Sequence, residues 1–78
     1  MLIIFTKHAL KKLQQRKIHK QFVHETIEKP DLVKQSYGFR EELYKKFGKN
    51  YMEVVIKKFS TKTLVLTAHW VAKVKNKL

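Results

Sequence analysis

The residues best suited to chemistry in this 78-residue chain are histidines and cations placed beside apolar stretches. His69 lies in an apolar segment that also contains Thr67. A histidine in such a segment can give or take a proton near neutral pH. A core histidine that bonds a neighbouring hydroxyl, such as that of Thr67, fits the same pattern equally well. We predict that His69 is catalytic and keep the core histidine as the alternative.

Three polar residues recur along the first predicted helix at four-residue steps: His8, Lys12 and Arg16. This spacing places them on one edge of the helix. On a basic protein such an edge is suited to contact a phosphate backbone, although a solvated helix face has the same pattern. Arg16 also complements the negative end of the helix dipole. We predict catalytic roles for His8 and Arg16, and a nucleic-acid contact for Lys12.

A second candidate group shares one face of a predicted strand, where side chains alternate. It contains Arg40, Tyr44 and Lys46. Tyrosine can stack on a base, and lysine can stabilise charge that develops on a phosphate. The alternative is an amphipathic outer sheet face with cross-strand pairs, such as Lys46 with Glu53. We predict a catalytic role for Lys46 and nucleic-acid contacts for the others, joined by four further lysines: Lys57, Lys58, Lys73 and Lys75.

The sequence lacks the usual signatures of metal and cofactor sites. It has no cysteine, which excludes disulfides and thiolate metal sites. Its only glycines are Gly38 and Gly48, so no Gly-rich phosphate loop is present. We therefore predict neither a metal nor a cofactor.

Charge is the strongest feature of the composition. Lys and Arg number 18 against 6 Asp and Glu, which gives a net charge of +12. Such an excess favours a polyanionic partner: nucleic acid first, an acidic protein second and an anionic membrane third. A solubilising lysine surface is the alternative. The apolar fraction of 44% argues against a disordered basic tail.

The hydrophobic pattern predicts one α+β domain over residues 1–78. A helical hairpin packs on one face of a twisted, mostly antiparallel sheet, in the order β-α-α-β-β-β. The apolar stripe of the first helix contains Ala9, Leu10 and Leu13, and Thr6 caps that helix. The predicted helices cover residues 7–16 and 20–29, and the predicted strands cover residues 2–5, 32–37, 40–47, 51–59 and 63–71.

The last predicted strand is apolar on both faces and is therefore expected inside the sheet. Strict alternation turns one set of its side chains to one face: Leu64, Leu66, Ala68 and Trp70. The opening apolar run, residues 2–5, is too short for a membrane span or an export signal. We expect a cytoplasmic protein that does not bind membranes.

Several motifs resemble a family of small bacterial and phage proteins of unassigned function. That family has a KHA start, an R-x-I between two helices and a final V-I-T strand. It is similar to the RelE/ParE toxin superfamily. The matching segments are Phe5-Thr6-Lys7-His8-Ala9, Arg16-Lys17-Ile18, Glu28-Lys29-Pro30-Asp31, Met52-Glu53-Val54-Val55 and Leu64-Val65-Leu66-Thr67-Ala68-His69.

The resemblance implies the toxin of a type II toxin–antitoxin pair. A RelE-like toxin is a metal-independent endoribonuclease that cuts ribosome-bound mRNA, and an acidic antitoxin is its partner. His8, Arg16 and Thr67 match the polar signature, while His69 stands where the small family usually has Tyr. Lysines such as Lys46 would replace the Arg-rich sheet of RelE enzymes. The alternative is a non-catalytic RNA-, DNA- or protein-binding module on the same fold, including a ParE-like gyrase inhibitor.

Overall fold

Two helices and five strands are formed within residues 2–74, the part of the chain that this computed structural model describes. All predicted elements are present, and their ends differ from the prediction by at most two residues. Four strands follow the helices, in agreement with the four predicted strand ranges there, so the order β-α-α-β-β-β is wrong by one missing strand. The elements are β1 Leu2–Phe5, α1 Lys7–Arg16, α2 Lys20–Glu28, β2 Leu32–Gln35, β3 Arg40–Phe47, β4 Asn50–Lys58 and β5 Lys62–Val71.

The five strands form one sheet in the order β1-β5-β4-β3-β2. Only β1 and β5 run parallel, whereas the other neighbouring strands are antiparallel. The interior position predicted for the last strand is confirmed, because β5 lies between β1 and β4. The short strand β2 forms one edge of the sheet.

Local signals define both ends of α1. The Thr6 side chain accepts a hydrogen bond from the Ala9 backbone N–H at 3.0 Å, as predicted for an N-cap. Lys17 ends the helix in the left-handed conformation, with φ 55°. None of the helices within residues 2–74 is both long and apolar enough to cross a membrane.

The hydrophobic core lies between the two helices and one face of the sheet. Met52, Val54 and Ile56 of β4 are fully buried and pack with Leu13 of α1 and Val23 of α2. The predicted stripe on α1 is partly wrong. Leu13 is 4% exposed, but Leu10 is 43% exposed because its position in the helix turns it away from the sheet.

A β-bulge changes the faces of β5. Val55 pairs with Thr67 and the next residue, Ile56, pairs with Val65, which leaves Leu66 as an extra residue in β5. The predicted alternation through Leu64, Leu66, Ala68 and Trp70 is therefore wrong: the bulge puts Val65 and Ala68 together on the core side. Thr67 and His69 lie on the opposite face, as predicted.

Candidate functional site

Both helices pack on one face of the sheet, and we call the other face, as seen in residues 2–74, the open face. The antiparallel register aligns polar side chains across it. Tyr44 of β3 pairs with Glu53 of β4, and Glu53 pairs with His69 of β5. Residues that pair across strands point to the same side of a sheet. These three side chains therefore form one row across the open face.

Short polar contacts join this row into what we call the Glu53 network: Glu42, Tyr44, Glu53 and His69. His69 Nε2 lies 2.6 Å from Glu53 Oε1. The Tyr44 hydroxyl donates to Glu53 Oε2 at 2.8 Å and lies 3.0 Å from Glu42 Oε1. Glu53 is thus held on one side by a phenol and presents its other oxygen to the imidazole.

The hydroxyl of Tyr44 is a fixed donor in this network. Burial raises the pKa of Tyr44 far above its ordinary value of 10.0, and the carboxylates of Glu53 and Glu42 raise it further. The Tyr44 residue is only 6% exposed, so its ring offers no open face to a base. These contacts do not support the stacking role predicted for Tyr44. They support a role in positioning Glu53.

His69 has the geometry of a proton acceptor. Its side chain is 38% exposed, and Nε2 faces the Glu53 carboxylate. A carboxylate at one ring nitrogen favours the tautomer with its proton there, which leaves Nδ1 to take a proton from a substrate. The alternative of a core histidine bonded to Thr67 is not what the structure contains, because the partner of His69 is Glu53.

Arg16 reaches from the end of α1 to the strand that carries His69. Its Nη1 donates to the Ala68 carbonyl oxygen at 2.8 Å and lies 3.4 Å from Thr67 Oγ1. Ala68 is the chain neighbour of His69. Arg16 therefore positions this part of β5, and Lys12, which is half-buried, lies four residues before Arg16 on α1.

An open cleft of about 540 Å³ adjoins the network. Val55 and Leu66 give it apolar walls. His8, Thr67 and Arg40 are among its polar lining residues. The structure thus brings together two of the predicted site residues, His8 and Arg40, around a cavity that also borders Glu42 of the network.

The predicted lysines lie in several places. Lys57 pairs with Arg40 across β3 and β4 on the open face. Lys46 lies on the same face but opposite Tyr51, so the predicted cross-strand pair with Glu53 is not the arrangement in the sheet. The backbone N–H of Lys46 donates to the Asp31 side chain at 2.9 Å.

Two of the remaining predicted lysines, Lys58 and Lys73, lie within the described residues. Lys58 lies on the helix-bearing side of the sheet, where it is 3.8 Å from Glu41. Lys73 is exposed beyond the end of β5. Lys75 lies outside the described residues.

Sequence reasoning missed two aromatic residues and two carboxylates. Tyr37 and Phe39 are 87% and 88% exposed in the turn between β2 and β3, and Tyr37 also lines the cleft. The signal that was available is their position beside Gly38, since turn tips expose their side chains. Glu42 and Glu53 could be found only from the strand register.

The phenol of Tyr44 gives a testable dependence on alkaline pH. A pKa raised in the folded state contributes stability below the unfolded value of about 10, and this contribution is lost as pH rises above it. We expect the free energy of unfolding of the native protein to fall more steeply above about pH 10 than that of Tyr44→Phe. Urea unfolding between pH 8 and 11 measures the difference. Tyr37→Phe, at an exposed phenol, is the control, and equal slopes for Tyr44→Phe and the native protein would contradict the prediction.

The residues that the structure describes contain no group of three or more His, Cys, Asp or Glu able to hold a metal ion. Neither a curated protein nor a solved structure matches the chain significantly. A family whose description is "Domain of unknown function (DUF4258)" matches residues 5–70, which include the Glu53 network and the α1 edge. On this match across most of its length, the chain belongs to the DUF4258 family.

Proposed function

We propose that this protein is a RelE-like toxin of a type II toxin–antitoxin pair that cleaves mRNA without a metal ion. The observation that carries the proposal is the pairing of His69 with Glu53 on the open face, at 2.6 Å. An exposed imidazole oriented by a carboxylate is a common arrangement for a general base. The basic charge of the chain supplies the attraction to a polyanion.

The reaction uses the 2′-hydroxyl of the RNA as nucleophile. Nδ1 of His69 takes the proton of that hydroxyl while the 2′-oxygen bonds to the adjacent phosphorus. The bond between phosphorus and the 5′-oxygen breaks, and His8, acting as the general acid, donates a proton to the leaving 5′-oxygen. The products are a 2′,3′-cyclic phosphate and a free 5′-hydroxyl, so no water or redox partner is consumed.

The other polar groups support this step by position. Thr67 lines the cleft beside His8 and lies two residues before His69 on the same face of β5, a separation of about 7 Å. Lys46 lies on the open face two residues after Tyr44, on the side of the Glu53 row away from the cleft, and its long side chain would have to extend across that row to stabilise charge on the phosphate. Arg16 holds the β5 backbone at Ala68 and acts as a positioning residue.

The proposed protein partner is an acidic antitoxin. The last 36 residues of the chain carry nine lysines and one carboxylate, Glu53, which gives 9 − 1 = +8. The first 42 carry nine cations and five carboxylates, which gives 9 − 5 = +4. An acidic chain bound over the strand half of the molecule would compete with RNA for the same charges.

The test is cleavage of a defined RNA by the purified protein, measured both on the free RNA and on the same RNA bound to ribosomes. We expect cleavage that continues in EDTA and yields a cyclic phosphate, and none at a linkage whose 2′-hydroxyl is replaced by hydrogen. Induction of the gene should also stop growth and shorten transcripts. Intact RNA together with salt-sensitive binding would replace the proposal with a non-catalytic binding module. Intact RNA with inhibited supercoiling would instead indicate a ParE-like gyrase inhibitor.

A further inference from the structure

The cleft beside the Glu53 network has the size and the lining of a binding site for a small planar group. Its volume of about 540 Å³ lies within the usual range for ligand pockets, about 300–1,000 Å³. Val55 and Leu66 provide apolar surface, and polar groups converge around it: Arg40, Glu42 and Thr67. An apolar cavity with a few fixed polar groups binds a flat ring in one orientation.

The aromatic side chain at the cleft belongs to an unusual turn. Tyr37 is almost fully exposed, yet it borders the cavity. Gly38 and Phe39 follow it with φ of 70° and 62°, and a left-handed conformation is uncommon for a bulky residue. Left-handed backbone at a non-glycine residue often marks a ligand-binding segment. A tyrosine presented in this way can cover a base that enters the cleft.

The hydrogen-bonding groups select the kind of base. Glu42 uses its Oε1 for the contacts with Tyr44 and Lys34, at 3.0 and 3.9 Å. Glu42 also lines the cleft, and its second oxygen, Oε2, is the one that a donor in the cleft would bind. A carboxylate that faces a base requires N–H groups on that base, and guanine presents two together, N1–H and the 2-amino group.

Arg40, on the same strand as Glu42, supplies a second group that can contact the base. It lies two residues before Glu42 on the open face, a separation of about 7 Å. A guanidinium is the usual partner of the O6 and N7 acceptors of guanine. Two neighbouring edges of one guanine thus match a carboxylate and a guanidinium. Adenine presents the acceptor N1 in place of N1–H, and uracil presents N3–H beside the acceptor O2 in place of the 2-amino group, so each leaves Glu42 facing an acceptor.

We propose that this cleft binds one unpaired guanine base, stacked under Tyr37, with Glu42 at its N1–H and 2-amino edge and Arg40 at its O6 and N7 edge. The proposal rests on the proposed function, since it names the RNA feature that the site selects. Because Thr67 lines the cleft and His69 follows on the same face, the bound guanine sets its own sugar or phosphate near His69. Cleavage is therefore directed to linkages beside guanine.

The experiment compares fluorescent seven-nucleotide oligomers of uridine that carry guanine, inosine or adenine at the centre. Every position is 2′-deoxy, so cleavage cannot occur. Fluorescence anisotropy at low salt measures Kd for the native protein. We expect guanine to bind at least about tenfold more tightly than adenine. Inosine, which keeps N1–H but lacks the 2-amino group, should lie between them.

Two variants with matched controls assign the preference to the cleft. Glu42→Gln should remove the preference for guanine, whereas Glu41→Gln, on the helix-bearing side of the same strand, should retain it. Tyr37→Ala should raise the Kd of all three oligomers by about fivefold or more. Phe59→Ala, an exposed aromatic residue after β4, should leave them unchanged. If Glu42→Gln fails to fold, the inosine and Tyr37→Ala measurements still decide whether the cleft binds guanine.

Equal affinity for guanine and adenine would overturn the guanine site, and so would a preference that persists in Glu42→Gln. Cleavage of ordinary RNA is then measured separately with the same variants. Cleavage without base preference overturns the guanine site and leaves the proposed ribonuclease standing. Guanine-selective binding without cleavage supports the site and overturns the ribonuclease.

Discussion

Replacing His69 with glutamine is expected to lower the rate of RNA cleavage by about 10²–10⁴-fold while RNA binding stays within about twofold. The glutamine amide can still donate a hydrogen bond to Glu53, so the row on the open face keeps its partner. It cannot take the proton of the 2′-hydroxyl, because an amide is not a base near neutral pH. Loss of rate without loss of affinity therefore reports proton transfer.

The matched control is His19→Gln. His19 is exposed at the start of α2, and its side chain makes no capping hydrogen bond. The two substitutions change the same residue type, and only one lies in the Glu53 network. Single-turnover cleavage of a labelled RNA, with binding measured on a 2′-deoxy oligomer, separates rate from affinity. Equal rates for both variants and the native protein would exclude His69 as the base.

The secondary structure was predictable because each element carries a local signal. Thr6 caps α1, and Pro30 follows the end of α2. The alternating pattern of Met52, Val54 and Ile56 fixes the buried face of β4, which all three residues confirm. These signals depend on neighbours within a few residues, so one sequence is sufficient to recognise them.

The Glu53 network was missed because it depends on strand register. Phe47 pairs with Asn50 across a two-residue turn, Gly48–Lys49, and this pairing sets Tyr44 opposite Glu53. The sequence suggested a three-residue turn, and a cross-strand pair of Lys46 with Glu53. Because a shift of one residue moves a side chain to the other face, such an error is enough to separate Glu53 from its real partners.

The cleft was missed for a related reason. Its walls come from α1, the β2–β3 turn, β3, β4 and β5, so the lining residues are scattered along the chain. The bulge at Leu66 also shifts the faces of β5, and no residue type there announces an extra residue. His8 and Arg40 were identified individually as polar residues, but their common cavity depends on tertiary packing.

The largest expected effect on stability comes from Leu13 in α1. Leu13→Ala removes a buried side chain from the core, and we expect the free energy of unfolding to fall by about 2–5 kcal/mol. A domain of this length has roughly 4–12 kcal/mol in total. The substitution should therefore lower Tm by roughly 10 °C or more. Thermal and urea unfolding followed by circular dichroism measure both quantities.

Leu10→Ala is the matched control, because it is the same substitution on the same helix at a position that is 43% exposed. We expect it to cost about 1 kcal/mol, since 43% of the surface of Leu10 already contacts water. Similar losses at both positions would contradict the orientation of α1 on the sheet. That orientation also directs His8 and Arg16 toward β5. Leu13→Ala should thus still cleave RNA well below its Tm, and on heating it should lose cleavage together with its helical signal. His69→Gln should instead be folded and inactive both well below that Tm and at the temperature where Leu13→Ala unfolds.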